Sequence, residues 1–185
     1  MATVVLRPSS TTSQTGWAAD PIVTAADNNT ATGVAQNNTT CNWTAVLTDL
    51  DSSLSGATIN SFTISANAKA GRAGACTAVL SLVHSTDGAF LNETEAWTGT
   101  QNTQTTSTRT TQQDGSSALT YAYINDCSIK INPNNQGMTL YELFVTVDYT
   151  AATGYGHEVN NVAAASIGKV KGVATASIAK VTGVD

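Results

Sequence analysis

Hydrophobic and polar residues alternate along much of this chain with a period of two, the mark of a β-strand with one buried face. In "TINSFTISANAKA", Phe62, Ile64, Ala66 and Ala68 fall on one side and Thr63, Ser65, Asn67 and Lys69 on the other. The same rule sets Ile59 with Ser61, opposite Asn60 and Phe62. "CTAVLSLVHS" follows, with Cys76, Ala78, Leu80 and Leu82 on one face, and the glycines of "AGRAGA" between the two runs predict a hairpin. "TLYELFVTVDY" is the clearest strand: Tyr141, Leu143, Val145, Val147 and Tyr149 are all apolar or aromatic and are the expected core face. Before it, "CSIKI" aligns Cys127, Ile129 and Ile131, and "NPNNQG" supplies a turn through Pro133 and Gly137. "TVVLR" and "CNWTAVLTDL" add further strands.

The Thr/Gln-rich stretch "TGTQNTQTTSTRTTQQ" reads as a polar edge strand anchored by Trp97 or as a low-complexity segment. The strand is favoured, because Thr suits extended backbone. No helical periodicity appears, and so much Thr, Ser, Asn and Gly disfavours helix. The expected fold is therefore all-β: an antiparallel β-sandwich or jelly roll over residues 1–150, followed by a tail. A Gly-rich linker occupies 151–159, and residues 160–185 repeat themselves at a shift of eleven. Val162, Ile167 and Val170 return as Val173, Ile178 and Val181, and Val184 then repeats Val173.

That period equals three helical turns, but the apolar steps spread too widely for one helical seam. Gly172, Gly183 and the β-branched residues disfavour helix further, so an extended or β-like tail is expected. Two short repeats cannot bury their own apolar face, and such units gain stability by packing on a neighbour. Val162, Ile167, Val170, Val173, Ile178, Val181 and Val184 are therefore the candidate interaction residues.

Composition narrows the function. Of 185 residues 41% are hydrophobic, enough for a core, while only 11% are charged and the net charge is −5. Scattered Lys and Arg leave no basic footprint for nucleic acid. No run approaches the ~20 apolar residues of a membrane helix. The opening "MATVVLRPSS" lacks the plan of a cleaved signal, so synthesis and folding in a cytoplasm are expected. Three cysteines, Cys41, Cys76 and Cys127, have no zinc-ligand spacing and read as buried thiols. A Cys41–Cys76 or Cys76–Cys127 bridge is the alternative, for an oxidising destination.

Several stretches combine into a resemblance. "LRPSS", a following Trp, "LTDLDSSLSGATINSFTISANAKA" and "LYELFVTVDY" together resemble a β-sandwich domain of tailed-phage structural proteins. "SIGKVKGVATASIAKVTGV" is similar to a repeat of phage and marine-virus virion proteins, with Lys171 and Thr182 where Asn commonly precedes the Gly. The resemblance implies a virion component: capsid decoration, a head or neck appendage, or a tail-fibre module. It implies self-association, a trimer included, and contacts with capsid, neck or tail proteins. It brings no catalytic residue and no cofactor.

Candidate chemistry is sparse. His84 and His157 are the only histidines, and nothing in the sequence places them together. Glu93 and Glu95 would share a strand face, but a glycosidase needs carboxyls converging across a cleft. Asp49 and Asp51 in "DLDSS" suggest calcium or, better, a plain turn, since the EF-hand spacing is missing. Five N-x-S/T triplets begin at Asn28, Asn37, Asn38, Asn42 and Asn92 and fit chance in so Asn- and Thr-rich a chain. Trp17, Trp43 and Trp97 would stack on host-surface sugars if exposed, or pack in the core. The expectation is a non-enzymatic structural protein of a virion without metal or cofactor, first a capsid decoration or a head or neck appendage that displays the sandwich; the alternative is a tail-fibre module or a carbohydrate-binding module for host-surface glycans.

Overall fold

The structure, a computed structural model, describes residues 1–71, 74–134, 137–152, 169–170 and 173–174. Two antiparallel sheets face one another and enclose a single apolar core. The first sheet has the order β1 (Ala2–Leu6), β10 (Met138–Thr150), β5 (Thr58–Ala70), β8 (Asn102–Thr105). The short β3 (Val34–Ala35) shares with β1 the edge of β10 away from β5, pairing with Thr139 and Leu140. The second sheet runs β2 (Pro8–Thr15), β4 (Asn42–Leu47), β9 (Cys127–Pro133), β6 (Cys76–His84), β7 (Gly88–Trp97). The expected all-β sandwich is thus the observed one.

Alternation explains the core. Ile64, Ala66 and Ala68 of β5 and Leu143, Val145 and Val147 of β10 are sealed from solvent, as are Ala78, Leu80 and Leu82 of β6 and Ile129 and Ile131 of β9. Two irregularities modify the simple pattern. A register shift between Asp148 and Tyr149 lets Ile59 and Phe62 both turn inward, although strict alternation sets them on opposite faces. A second shift between Leu140 and Glu142 sends Leu140 and Met138 into the core and leaves Tyr141 outside the core cluster, beneath the Lys69 ammonium.

The hairpin expected between "TINSFTISANAKA" and "CTAVLSLVHS" does not form. β5 pairs with β10 and β8, while β6 pairs with β7 and β9. Both runs carry a strong apolar face, so they stack face to face across the core instead of sharing an edge. The strands on either side of the "NPNNQG" segment, β9 and β10, likewise lie in different sheets. The Thr-rich stretch does supply an edge strand, β8, and Trp97 anchors it by donating from Nε1 to the Asn102 carbonyl at 3.2 Å.

Two short helices were not visible in the periodicity: α1 (Ile22–Ala25) and α2 (Tyr121–Asn125). Thr120 caps α2 by accepting from the Tyr123 N–H at 3.1 Å. Asp51 accepts from the Ser53 N–H and starts a 3-10 turn, which accounts for "DLDSS" as a turn. In the tail, β11 (Lys169–Val170) pairs antiparallel with β12 (Val173–Ala174), Val170 opposite Val173. That backbone pairing agrees with a β-like tail. Val162, Ile167, Ile178, Val181, Val184 and His157 lie outside the described residues.

Candidate functional site

The loops at one end of the sandwich border an open cleft of about 520 Å³ lined by Asp87, Gln112, Gln113 and Asp114. Two Asp-Gly turns build it. Asp87 precedes Gly88 in the β6–β7 reversal, where a φ of +81° suits glycine. Asp114 precedes Gly115 in the loop before α2, with φ of +74°. Asp114 organises its own loop: its carboxylate accepts from the Ser116 and Ser117 N–H groups at 2.9 and 2.8 Å and from the Ser117 hydroxyl at 2.5 Å. These bonds favour the charged form and hold its pKa down at about 2. The Arg109 guanidinium donates to the Thr111 and Gln112 carbonyls, bracing the loop from the other side.

An aromatic stack supports the cleft. The His84 and Tyr123 rings lie 4.0 Å apart and nearly parallel, and Phe90 and Phe62 continue the cluster edge-on. The Tyr123 hydroxyl accepts from the Gln113 N–H at 3.2 Å, so the stack fixes the backbone of the lining residues directly. Burial pushes the Tyr123 phenol up. His84 Nδ1 faces Asp87 at 3.2 Å and Thr86 Oγ1 at the same distance. The lining amides each use a donor within the protein, Gln112 to the Ala118 carbonyl and Gln113 to the Ala89 carbonyl.

The structure redistributes the residues singled out in the sequence. Trp17, Trp43 and Trp97 are 5%, 0% and 0% exposed, so none offers a ring face to a sugar. Their indole N–H groups are spent inside the protein, Trp43 on the Thr11 hydroxyl at 2.9 Å and Trp17 on the Asn42 carbonyl at 3.0 Å. Glu93 and Glu95 do share a face, but at the sandwich edge: Glu93 receives the Ser107 N–H and hydroxyl. Burial and the neighbouring Glu93 carboxylate raise the Glu95 pKa. Cys41, Cys76 and Cys127 are all free and buried, and burial pushes the Cys127 thiol up to about 12. Among the described residues no group of three or more His, Cys, Asp or Glu side chains is placed to hold a metal ion.

Sequence reasoning missed the cleft. Asp87 and the 112–114 segment are separated along the chain and share no motif, and the paired Asp-Gly turns were the only signal present. A different pair of sequence features does meet in space. Arg7 of "LRP" donates to Glu142 of "YELF" at 3.2 Å, also bonds Asn28, and lies over the Phe144 ring at 5.2 Å.

No protein-family model and no characterised protein matches the chain by sequence. Among solved structures, the chain is similar to the C-terminal CBM6 module of LamC, a laminarinase of Zobellia galactanivorans, at 10% identity and a TM-score of 0.45. The match covers 79% of this chain and 98% of that one. A second similar structure is the carbohydrate-binding module CBM6cm-2 of Cellvibrio mixtus lichenase 5A, solved with cellotriose, at 13% identity and a TM-score of 0.43. There the coverage is 80% of this chain and 97% of the other.

Proposed function

We propose that this chain is a non-catalytic recognition domain that binds a neutral glycan in its end-on cleft. The observation that carries the proposal is the polar cleft itself, with two carboxylates and two carboxamides on a rigid aromatic base. A sugar ring presents adjacent hydroxyls that both donate and accept, and carboxylate and amide oxygens are the acceptors that pair with them. Its volume lies within the range of small-ligand pockets, about 300–1,000 Å³. With Asp87 and Asp114 on the rim, anionic sugars are disfavoured.

Titration calorimetry against neutral and acidic oligosaccharides tests this. A neutral glycan should bind, and the Asp87→Asn, Gln113→Ala double variant should weaken it at least about tenfold, the loss of one to two charge-assisted bonds. Binding that survives this change locates the ligand elsewhere, and no binding to any glycan sinks the proposal.

A second reading is compatible with the first and rests on the tail sequence: the domain is a virion component, displayed on a capsid, neck or tail, with the repeats serving self-association or attachment. Particles assembled with a chain that stops at Tyr155 should lack the domain. Normal incorporation counts against attachment through the tail.

A further inference from the structure

The two open sheets have four edges, three of them lined by blunted strands and the fourth shared by β1 with the short β3. β2 begins at Pro8 and carries two register shifts, and the hydroxyls of Ser9 and Thr12 reach back to β4 carbonyls. β7 is broken by a shift opposite Leu80–Leu82, has Leu91 at a φ of +55°, and bears Glu93 and Glu95. β8 is only four residues long. Such features are how sheets avoid unwanted pairing. β1, five residues long, has none of the breaks or charges. Its register with β10 is regular from Ala2 opposite Tyr149 to Leu6 opposite Val145, and its sequence ATVVL has no charge, proline or glycine. Among the described residues nothing pairs with its other edge, and Val5 is 45% exposed on the outer face of the sheet, opposite the side of Val4 and Leu6.

The position of that edge points to one segment of the chain. β10 ends at Thr150, one residue past the Tyr149–Ala2 pair, so the end of that strand, from which the tail sequence follows, lies one strand in from the free edge of β1. A nine-residue connector spans up to about 30 Å, and the five residues of β1 extend about 17 Å, so either repeat can lie along the whole strand. Tethering also raises the local concentration of the tail to the millimolar range for short flexible connections, about enough to drive pairing too weak to act between free molecules. The tail is rich in β-branched residues, and β11 and β12 already show that it takes strand pairing.

We propose that one repeat of the C-terminal tail adds as a strand to the free edge of β1 within its own chain. The main-chain groups of β1 that point away from β10 gain partners, and apolar tail residues cover Val5. The other repeat then becomes the new outer edge of the sheet.

Amide hydrogen exchange on the full chain tests this at residue resolution. Consecutive β1 amides point alternately toward β10 and toward the free edge, and the proposal requires both sets to be protected. A full-length Ile167→Pro, Ile178→Pro variant, which disrupts both repeats and leaves every core residue in place, should speed exchange of the outward set at least about tenfold while β5 and β10 stay protected. Outward amides that exchange freely in the unaltered chain overturn the proposal, as does protection that survives the proline variant. Protection that appears only as the protein dimerises at higher concentration also overturns it, in favour of a second copy.

Discussion

Arg7 does three things with one guanidinium. It pairs with Glu142, bonds Asn28 and covers Phe144, and it thereby neutralises a carboxylate that the fold has largely removed from water. Arg7→Ala should cost about 2 kcal/mol in chemical denaturation, because Glu142 is left without its charge partner. Arg7→Lys should recover only part, since an ammonium cannot fork to two acceptors and stack as well. The three thiols make a second residue-scale prediction. All have raised pKa values, chiefly from burial, and Cys127 stands at about 12. At pH 8 a thiol-specific disulfide reagent should therefore label none of them in the native protein and all three in denaturant. Rapid native labelling would contradict their burial. Glu95 sets a third. Its folded pKa is raised above the ordinary 4.5, so ionisation costs the native state as pH climbs past that value. Glu95→Gln should raise the melting temperature at pH 7, and the gain should vanish below about pH 4, where both states are protonated.

Elements were legible wherever one face had to be buried. β5, β6, β9 and β10 announce themselves because a period of two is what a half-buried strand imposes on a sequence. Partners were not legible, and the misassigned β5–β6 hairpin shows why. Alternation says that Phe62 and Leu80 face a core, but two strands that share a core may be side by side or face to face. Bulges are equally silent, since nothing local distinguishes the shift that buries both Ile59 and Phe62. The cleft escaped for a related reason: its lining is set by where two turns end up, while the tryptophans that looked like ligand contacts were needed as core volume. The 112–118 loop has its own pH dependence. Asp114 has a folded pKa of about 2 against an ordinary 3.8, so its contribution is complete above pH 3.8 and is lost as pH falls toward 2. Glycan affinity measured by calorimetry should therefore be flat from neutral pH to about 4 and then collapse before the sandwich unfolds, because the exposed loop opens at lower cost than the core.

At the scale of the molecule, the core runs from Leu6 to Val147 and draws on both sheets. A chain ending at Ala152 should accordingly still unfold in one cooperative transition, its midpoint lowered by about 3 °C, roughly 1 kcal/mol for a domain of this size, as fits the loss of an added edge strand and not of core. Scanning calorimetry checks it, and a broad or strongly lowered transition would show that the tail takes part in the core after all. One further consequence follows from the pairing of Ala2 with Tyr149. Neighbouring strands set their Cα atoms about 5 Å apart, so the backbone enters and leaves the sandwich through almost the same point. A domain with such adjoining ends can hang from a single loop of a larger protein without stretching its host. Tension applied across those ends would peel β1 from β10 one hydrogen bond at a time, so the fold resists pulling at its ends poorly.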